Sequence, residues 1–256
     1  MQTKFTELTD YQWQFIKKHV EKHKPRKHCL RTILNAILWI TRTGSQWRNL
    51  DSKYPPWESV YYYFRQWKDK GVLGDIMQEL IEIERIRQGK ESAPSAAAID
   101  SQSCKKSPFV SLETGVDGGK KVNGRKRHLL VDTLGLPLAI HVSSADTSDA
   151  EGGYELLWQA EQGNSARLEL IRADQAYAKM FKQAASYYNW QVDTTQRPPS
   201  QKGFIAEKGR WQVERSFAWG NFYRRLSRSY EKFPESEVAF IQLMFINIIL
   251  ARIDQN

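Results

Sequence analysis

The chain has 256 residues, with 38 Lys and Arg against 29 Asp and Glu, giving a formal net charge of +9 at pH 7 and an isoelectric point near 9.4. It is long enough to bury a core in one large domain or two small ones, and its charge attracts polyanions, so nucleic acid or an anionic membrane surface are the candidate partners. No apolar run reaches the roughly 18 residues that span a bilayer, MQTKFTELTDYQWQF lacks a signal-peptide core, and Cys29 and Cys104 form no CxxC pair that would suggest a disulfide framework or zinc ribbon.

The expectation is therefore a soluble, cytoplasmic protein with two free thiols. Its first part is helical in pattern. A helix opens around Asp10 to His23, capped by Thr9 or Asp10, and a second over Leu30 to Thr41 places Leu30, Ile33, Leu34, Ile37 and Leu38 at helical spacing. A break at Thr43-Gly44 follows. After Pro55-Pro56, Trp57 to Lys68 carries a stripe of Trp57, Val60, Phe64 and Trp67, and Val72 to Ile86 supplies another apolar face. These helices, at residues 1–88, resemble a helix-turn-helix module or a purely structural bundle. If the module binds DNA, Arg42, Gln46, Arg48, Ser59, Tyr62, Arg65 and Lys68 are placed between the core positions to reach phosphates or base edges.

Residues 89–95 read as a linker, and strands alternate with helices beyond it. Ala96 to Ile99 is a short strand ending at Asp100, and Arg127 to Val131 and Leu136 to Val142 form a hairpin about Leu134-Gly135. A helix from about Asp149 to Glu161, a strand Leu168 to Ala173 ending at Asp174, a helix Tyr177 to Tyr188, a strand Trp190 to Asp193 and a long helix from near Glu207 complete the order. That order is α/β: a mixed sheet flanked by helices over 96–256, the ribonuclease H-like arrangement. Asp100 and Asp174 then stand on neighbouring strands, with Glu214 on the following helix able to point back at both.

Buried carboxylates need a partner charge, and a pair of divalent cations supplies one. Two ions about 4 Å apart, bridged by one carboxylate and flanked by others, can activate a water or a 3′-hydroxyl and stabilise the leaving oxygen of an in-line displacement. Magnesium suits this role, with manganese as a substitute, because it prefers hard oxygens and keeps exchangeable waters. Asp100 is assigned as bridging ligand, with Asp174 and Glu214 each holding mainly one ion. The competing account makes Asp100 the cap of a turn and Asp174 the cap of the helix after it, and pairs Glu214 with Arg210 one turn earlier.

The longer strings are more specific. RTILNAILWITRTGSQWRNLDSKYPPWESVYYYFRQW, AAAIDSQSCKKSP, GGKKVNGRKRHLLVDTLGLPLAIHVSSADTSD, IRADQAYAK and GRWQVERSFAWGNFYRRLSRSYE, in that order, strongly resemble the DDE transposases of bacterial insertion sequences, specifically the insertion sequence 5 family. The resemblance implies that Asp100, Asp174 and Glu214 are the catalytic triad of metal-dependent DNA cleavage and strand transfer. It also implies double-stranded DNA partners, both transposon ends and target, and a homodimer or larger assembly on DNA. The wider superfamily sets a Tyr, an Arg and a Lys around the catalytic Glu in the pattern Y-x2-R-x3-E-x6-K. Here those positions are Glu207, Arg210, Glu214 and Asn221, so only the Arg and Glu are kept, and Arg215, Arg224, Arg225 and Arg228 are candidates for the missing phosphate contacts.

A second basic element lies between the first strand and the hairpin, where Lys105, Lys106, Lys120, Lys121, Arg125, Lys126 and Arg127 could follow a DNA backbone. GVDGGKK lacks the spacing of a Walker loop, His19 and His23 lack further zinc ligands, and Ser101 and Ser103 lack a matched His. Asp132 is expected at a turn or as secondary support. Three functions stay open: an active transposase, a nuclease of the same fold that cuts without joining, and a non-catalytic DNA-binding descendant. In each, the helix carrying Glu214 can stand away from the aspartates until DNA and metals arrive.

Overall fold

The computed structural model describes residues 5–20, 27–194 and 210–254. Helices α1 (Asp10–Val20), α2 (Leu30–Thr43), α3 (Trp57–Asp69) and α4 (Val72–Arg87) form where the apolar spacing predicts them. On α2, Leu30, Ile33, Leu34, Ile37 and Leu38 are all buried. Gly44 ends α2 with φ 72°, its N–H donating to the Ile40 carbonyl at 2.8 Å. A side chain there would be strained by the backbone and would also place a Cβ 2.9 Å from Cβ of Arg224.

The chain divides into two units, one of residues 1–84, 220–227 and 235–256 and the other of residues 85–219 and 228–234. By this division α8 (Pro234–Ile253) falls almost wholly in the helical unit. Within that unit the Gln12 side-chain amide donates to the Leu250 carbonyl (3.1 Å), Phe64 stacks on Phe240 with centroids 4.9 Å apart, and Tyr223 Oη donates to Asn247 (2.8 Å). Against the expectation that no stretch reaches the length and apolarity of a membrane span, α8 among the described residues does, yet it is mostly buried. Its Phe240, Leu243, Phe245, Ile249 and Leu250 are completely enclosed, as in a core helix.

The second unit is built on a six-stranded sheet. Its strands are β1 (Ala96–Lys105), β2 (Gly115–Asp117), β3 (Val122–Asp132), β4 (Pro137–Ser144), β5 (Leu170–Ala173) and β6 (Gln191–Thr194). The order is β2-β3-β1-β5-β6, with β4 also on β3; β1, β3 and β4 are antiparallel neighbours, and β5 runs parallel to both β1 and β6. Helices α5 (Asp149–Gln162), α6 (Met180–Ser186) and α7 (Trp211–Gly220) accompany it, so the α/β, ribonuclease H-like arrangement stands. Of the long helix expected from near Glu207, the described residues show a helix of ten, Trp211–Gly220, preceded by a turn at Arg210; Glu207 lies outside the described residues.

Two strands are longer than their apolar cores imply. β1 continues past Asp100 to Lys105, and β3 begins at Val122, because the polar ends pair with each other from Ser101↔His128 to Lys105↔Gly124. Asp132 closes β3. One of its oxygens accepts from Leu134 and Leu136 N–H, both at 2.8 Å, and the other pairs with Arg85 in a buried ion pair. It is thus a turn residue with a structural charge partner.

α5 starts at a capping box. Ser148 Oγ accepts from Glu151 N–H (3.2 Å) while the Glu151 carboxylate accepts from Ser148 N–H (3.0 Å). Ser148→Ala should cost about 1 kcal/mol, lowering the melting temperature by roughly 2–4 °C in a thermal unfolding scan. An unchanged melting temperature would show that the box contributes nothing to α5.

Candidate active site

Asp100 is the fifth residue of β1 and Asp174 directly follows β5. The parallel register Ala98↔Arg172 brings the two aspartates level on adjacent strands. Asp100 accepts from the N–H of Ser101 (2.7 Å), and Asp174 caps the short 3-10 turn 175–177 by accepting from Ala176 N–H (2.9 Å). Both therefore do occupy capping-type positions, and the same bonds hold their carboxylates still.

Their electrostatics go beyond capping. Burial, with the like charge of Asp174 adding to it, pushes the Asp100 carboxyl up to about 6, against the opposing pull of the Ser101 N–H, Arg210 and Lys120. Close by, Tyr177 is fully buried and its hydroxyl has no hydrogen-bond partner among the described residues. Burial first, and then Asp100, Asp149 and Asp174, hold this phenol neutral. Two carboxylates that repel each other, with an unsatisfied hydroxyl nearby, make a donor set that fits a divalent cation.

A polar layer supports the strand. Ser101 Oγ donates to Asp149 Oδ1 (2.7 Å), and Lys126 Nζ donates to the same oxygen (2.9 Å) and to the Thr147 carbonyl (2.7 Å). His128, the cross-strand partner of Ser101, is enclosed and shares a hydrogen bond with Ser143 Oγ (2.9 Å). Burial, followed by the influence of His141, pushes this imidazole down to about 3, so it is neutral. Gly152 lets α5 lie this close: a Cβ there would come within 2.1 Å of the His128 ring. Asp149 and Tyr177 read in the sequence only as helix starts, and His128, which adjoins the hairpin strand where the sequence lets it face DNA, is instead enclosed against Ser143.

Glu214 does not join the pair. It is exposed on α7, and no group of three or more His, Cys, Asp and Glu side chains that could hold a metal occurs among the described residues. α7 is held instead through Arg215, whose guanidinium donates to the Leu134 carbonyl (2.8 Å), and Ser216, whose Oγ donates to the Gly135 carbonyl (2.7 Å). Arg210, one turn before Glu214, is the α7-side residue whose charge acts on Asp100.

The basic candidates separate by burial. Lys105, Lys120, Lys121, Arg224 and Arg228 are exposed, as are Gln46, Arg48, Tyr62 and Arg65 of the helical unit. Arg125, Lys126 and Arg127 are buried, which corrects their assignment to DNA. Arg125 and Arg127 serve carbonyls of the chain, and Lys126 serves Asp149 and Thr147. Lys106 donates to the Val110 carbonyl (3.0 Å), and Arg215 lies over the rings of Trp211 and Trp219 at 4.3 and 5.1 Å. In the helical unit Arg42 covers Tyr223, and Arg225 covers Phe240 and donates to the Ser45 carbonyl (3.1 Å); Ser59 is half-buried and Lys68 pairs with Asp69. His19 pairs with Glu79 (2.9 Å), while His23 lies outside the described residues.

Comparison with known families matches residues 8–77 to "Putative transposase of IS4/5 family" and residues 91–250 to "Transposase DDE domain". A curated relative, "Uncharacterized protein y4sN" from Sinorhizobium fredii (strain NBRC 101917 / NGR234), is 32% identical over 78 residues, 28% of this chain. The chain spans 62% of the length of that relative. Transposase DDE domains generally use divalent metal ions, in keeping with the paired carboxylates on β1 and after β5. The match over 91–250 covers more than half of the sequence, and the chain belongs to the transposase DDE domain family.

Proposed function

We propose that this chain is a DNA transposase that binds the terminal inverted repeats of an insertion sequence and catalyses DNA cleavage and strand transfer. The observation that carries the proposal is the level pairing of Asp100 and Asp174, with Asp100 pushed up to about 6 and two cations, Arg210 and Lys120, acting on it. Carboxylates alone would repel a phosphodiester. A pair built to take divalent cations, with basic side chains close by, attracts one.

Asp100 and Asp174 would hold two magnesium ions, or manganese in their place. When bound, such ions lower the pKa of an attacking hydroxyl and neutralise charge on the phosphate and the leaving oxygen. Ser101, through its N–H to Asp100 and its hydroxyl to Asp149, keeps the Asp100 carboxylate oriented. Lys120 and Arg210 draw the scissile phosphate in. In cleavage, water oxygen bonds to phosphorus as the P–O3′ bond breaks, and the released 3′ oxygen takes a proton. In joining, that 3′-hydroxyl attacks a target phosphate, loses its proton, and displaces the target's own 3′ oxygen.

Arg210 stands just ahead of α7, four residues before Glu214. With Arg210 already acting on Asp100, a movement of α7 on DNA binding would bring Glu214 in as the third ligand. In the helical unit, the exposed side of α3 is lined by Trp57, Tyr61, Tyr62 and Arg65, and Gln46 and Arg48 are also exposed. These residues suit the reading of an inverted repeat, in a homodimer or larger assembly that pairs two ends.

The test combines purified protein, labelled element-end DNA, a target plasmid and Mg²⁺. Labelled ends joined covalently to the plasmid are expected. Cutting without joining would make the protein a nuclease, and binding without cutting in either Mg²⁺ or Mn²⁺ would make it a non-catalytic DNA binder.

A further inference from the structure

The segment between β1 and β2 is fastened at many points, yet it displays a bare aromatic ring. Ser107 N–H donates to the Ser229 carbonyl (2.8 Å) and Lys106 Nζ to the Val110 carbonyl (3.0 Å). Val110 N–H returns to the Ser107 carbonyl (3.0 Å), closing a four-residue turn with Pro108 and Phe109 at its centre. Beneath it the Arg125 guanidinium reaches the carbonyls of Leu112 (2.8 Å), Glu113 (3.3 Å), Glu231 (2.8 Å) and Lys232 (2.8 Å). Val110 is 2% exposed, and its neighbour Phe109 is 95% exposed.

Burying a phenylalanine contributes about 1.5–3 kcal/mol to a fold, and here that gain is forgone on a loop too well tied to turn the ring inward. The surroundings identify the partner. Segment 228–233 runs beside the loop through the bridge Lys106↔Ser229, and it exposes the rings of Tyr230 and Phe233. The cations Arg228 and Lys232 are exposed on segment 228–233, and Lys105, the last residue of β1, is exposed where the loop begins. Rings interleaved with cations match the alternation of base and phosphate, whereas a protein-binding patch is depleted of charge at its core.

We infer that Phe109 inserts its ring at an unstacked base step of the DNA flanking the scissile phosphate, with Lys105, Arg228 and Lys232 on neighbouring phosphates. The inference rests on the transposase proposal. Lys105 is five residues beyond Asp100 on the same strand, about 17 Å at roughly 3.3 Å per residue. At about 3.4 Å per nucleotide the Lys105 phosphate falls on the order of five base steps from the site of cleavage, and Phe109 meets a base near it.

The full chain, Phe109→Ala and Phe109→Trp are compared in metal-free buffer on an inverted-repeat duplex carrying 2-aminopurine at successive positions beside the cleavage site. Wild type should change the fluorescence at one step. Phe109→Ala should lose that change and bind about tenfold more weakly, with the salt dependence of binding unaltered because the phosphate contacts remain. Phe109→Trp should restore both signals. An alanine variant that keeps the wild-type affinity and fluorescence overturns the inference. So does one whose only defect is loss of self-association, since the ring then serves a second copy. Failure of the wild-type chain to bind the duplex overturns the transposase proposal itself, and shows as identical curves for all three proteins.

Discussion

Asp100→Asn should abolish cleavage and joining, by about 10³-fold or more, while leaving affinity for element-end DNA nearly unchanged. The asparagine can still accept the Ser101 N–H that orients Asp100, so the loss would report missing charge at the metal site rather than a disordered strand. A second, opposite effect accompanies it. The Asp100 carboxyl is pushed from its ordinary 3.8 up to about 6 by burial and by Asp174, so the fold favours its protonated form. In the metal-free wild type, stability is then lost as pH rises from the unfolded value of about 3.8 through the folded value of about 6. Asparagine carries no such penalty. The variant should therefore melt higher than wild type at pH 7 without metal, with the difference vanishing at acid pH. Divalent ions should raise the melting temperature of wild type and not of the variant. Full cleavage by Asp100→Asn would sink the proposed mechanism, and identical melting at pH 7 would show that the site stores no repulsion.

Arg125→Met should destabilise the second unit by about 3–5 kcal/mol, a drop of roughly 10 °C in melting temperature. Arg125 is completely buried, and its guanidinium serves four carbonyls as well as Ser229 Oγ (3.3 Å), drawn from segments 112–113 and 229–232. Methionine matches part of its length and none of its donors, leaving several acceptors unsatisfied where water does not reach. Limited proteolysis should then open the chain between Ser107 and Thr114. Arg125→Lys should recover only part of the loss, because an ammonium offers three donors to a set of acceptors spread over two segments. A variant with wild-type melting and protease resistance would mean that the carbonyls find other partners and that the loop needs no clamp.

The basic run before the hairpin shows where sequence reasoning stops. Lys120, Lys121, Arg125, Lys126 and Arg127 stand close together in a Gly-containing stretch, and local chemistry marks them all as solvated cations. Only the first two are. The others lie within β3, and what removes them from water is a set of acceptors up to about a hundred residues away, such as the Glu231 carbonyl on Arg125. The strand limits failed for the same reason: β1 and β3 extend through polar residues because each pairs with the other, which hydrophobic periodicity cannot reveal. α8 went unrecognised among the elements although its apolar character is plain in the sequence, and its place in the helical unit depends on contacts such as Gln12 with Leu250.

By itself the sequence determined the helices of the first part, the strands leading to Asp100 and Asp174, the family and the excess positive charge, because each depends on local periodicity or on contiguous strings of residues. The element order already put Asp100 and Asp174 on neighbouring strands; tertiary structure alone decided their register and that Glu214 stays apart. Parallel pairing of β1 with β5 sets Asp100 level with Asp174, and the placement of α7 presents Arg210 rather than Glu214 to them. It also decided which cations face solvent and which ring stands out from the loop. Those outcomes follow from desolvation and from hydrogen bonds between residues far apart in the chain, and no local pattern encodes them.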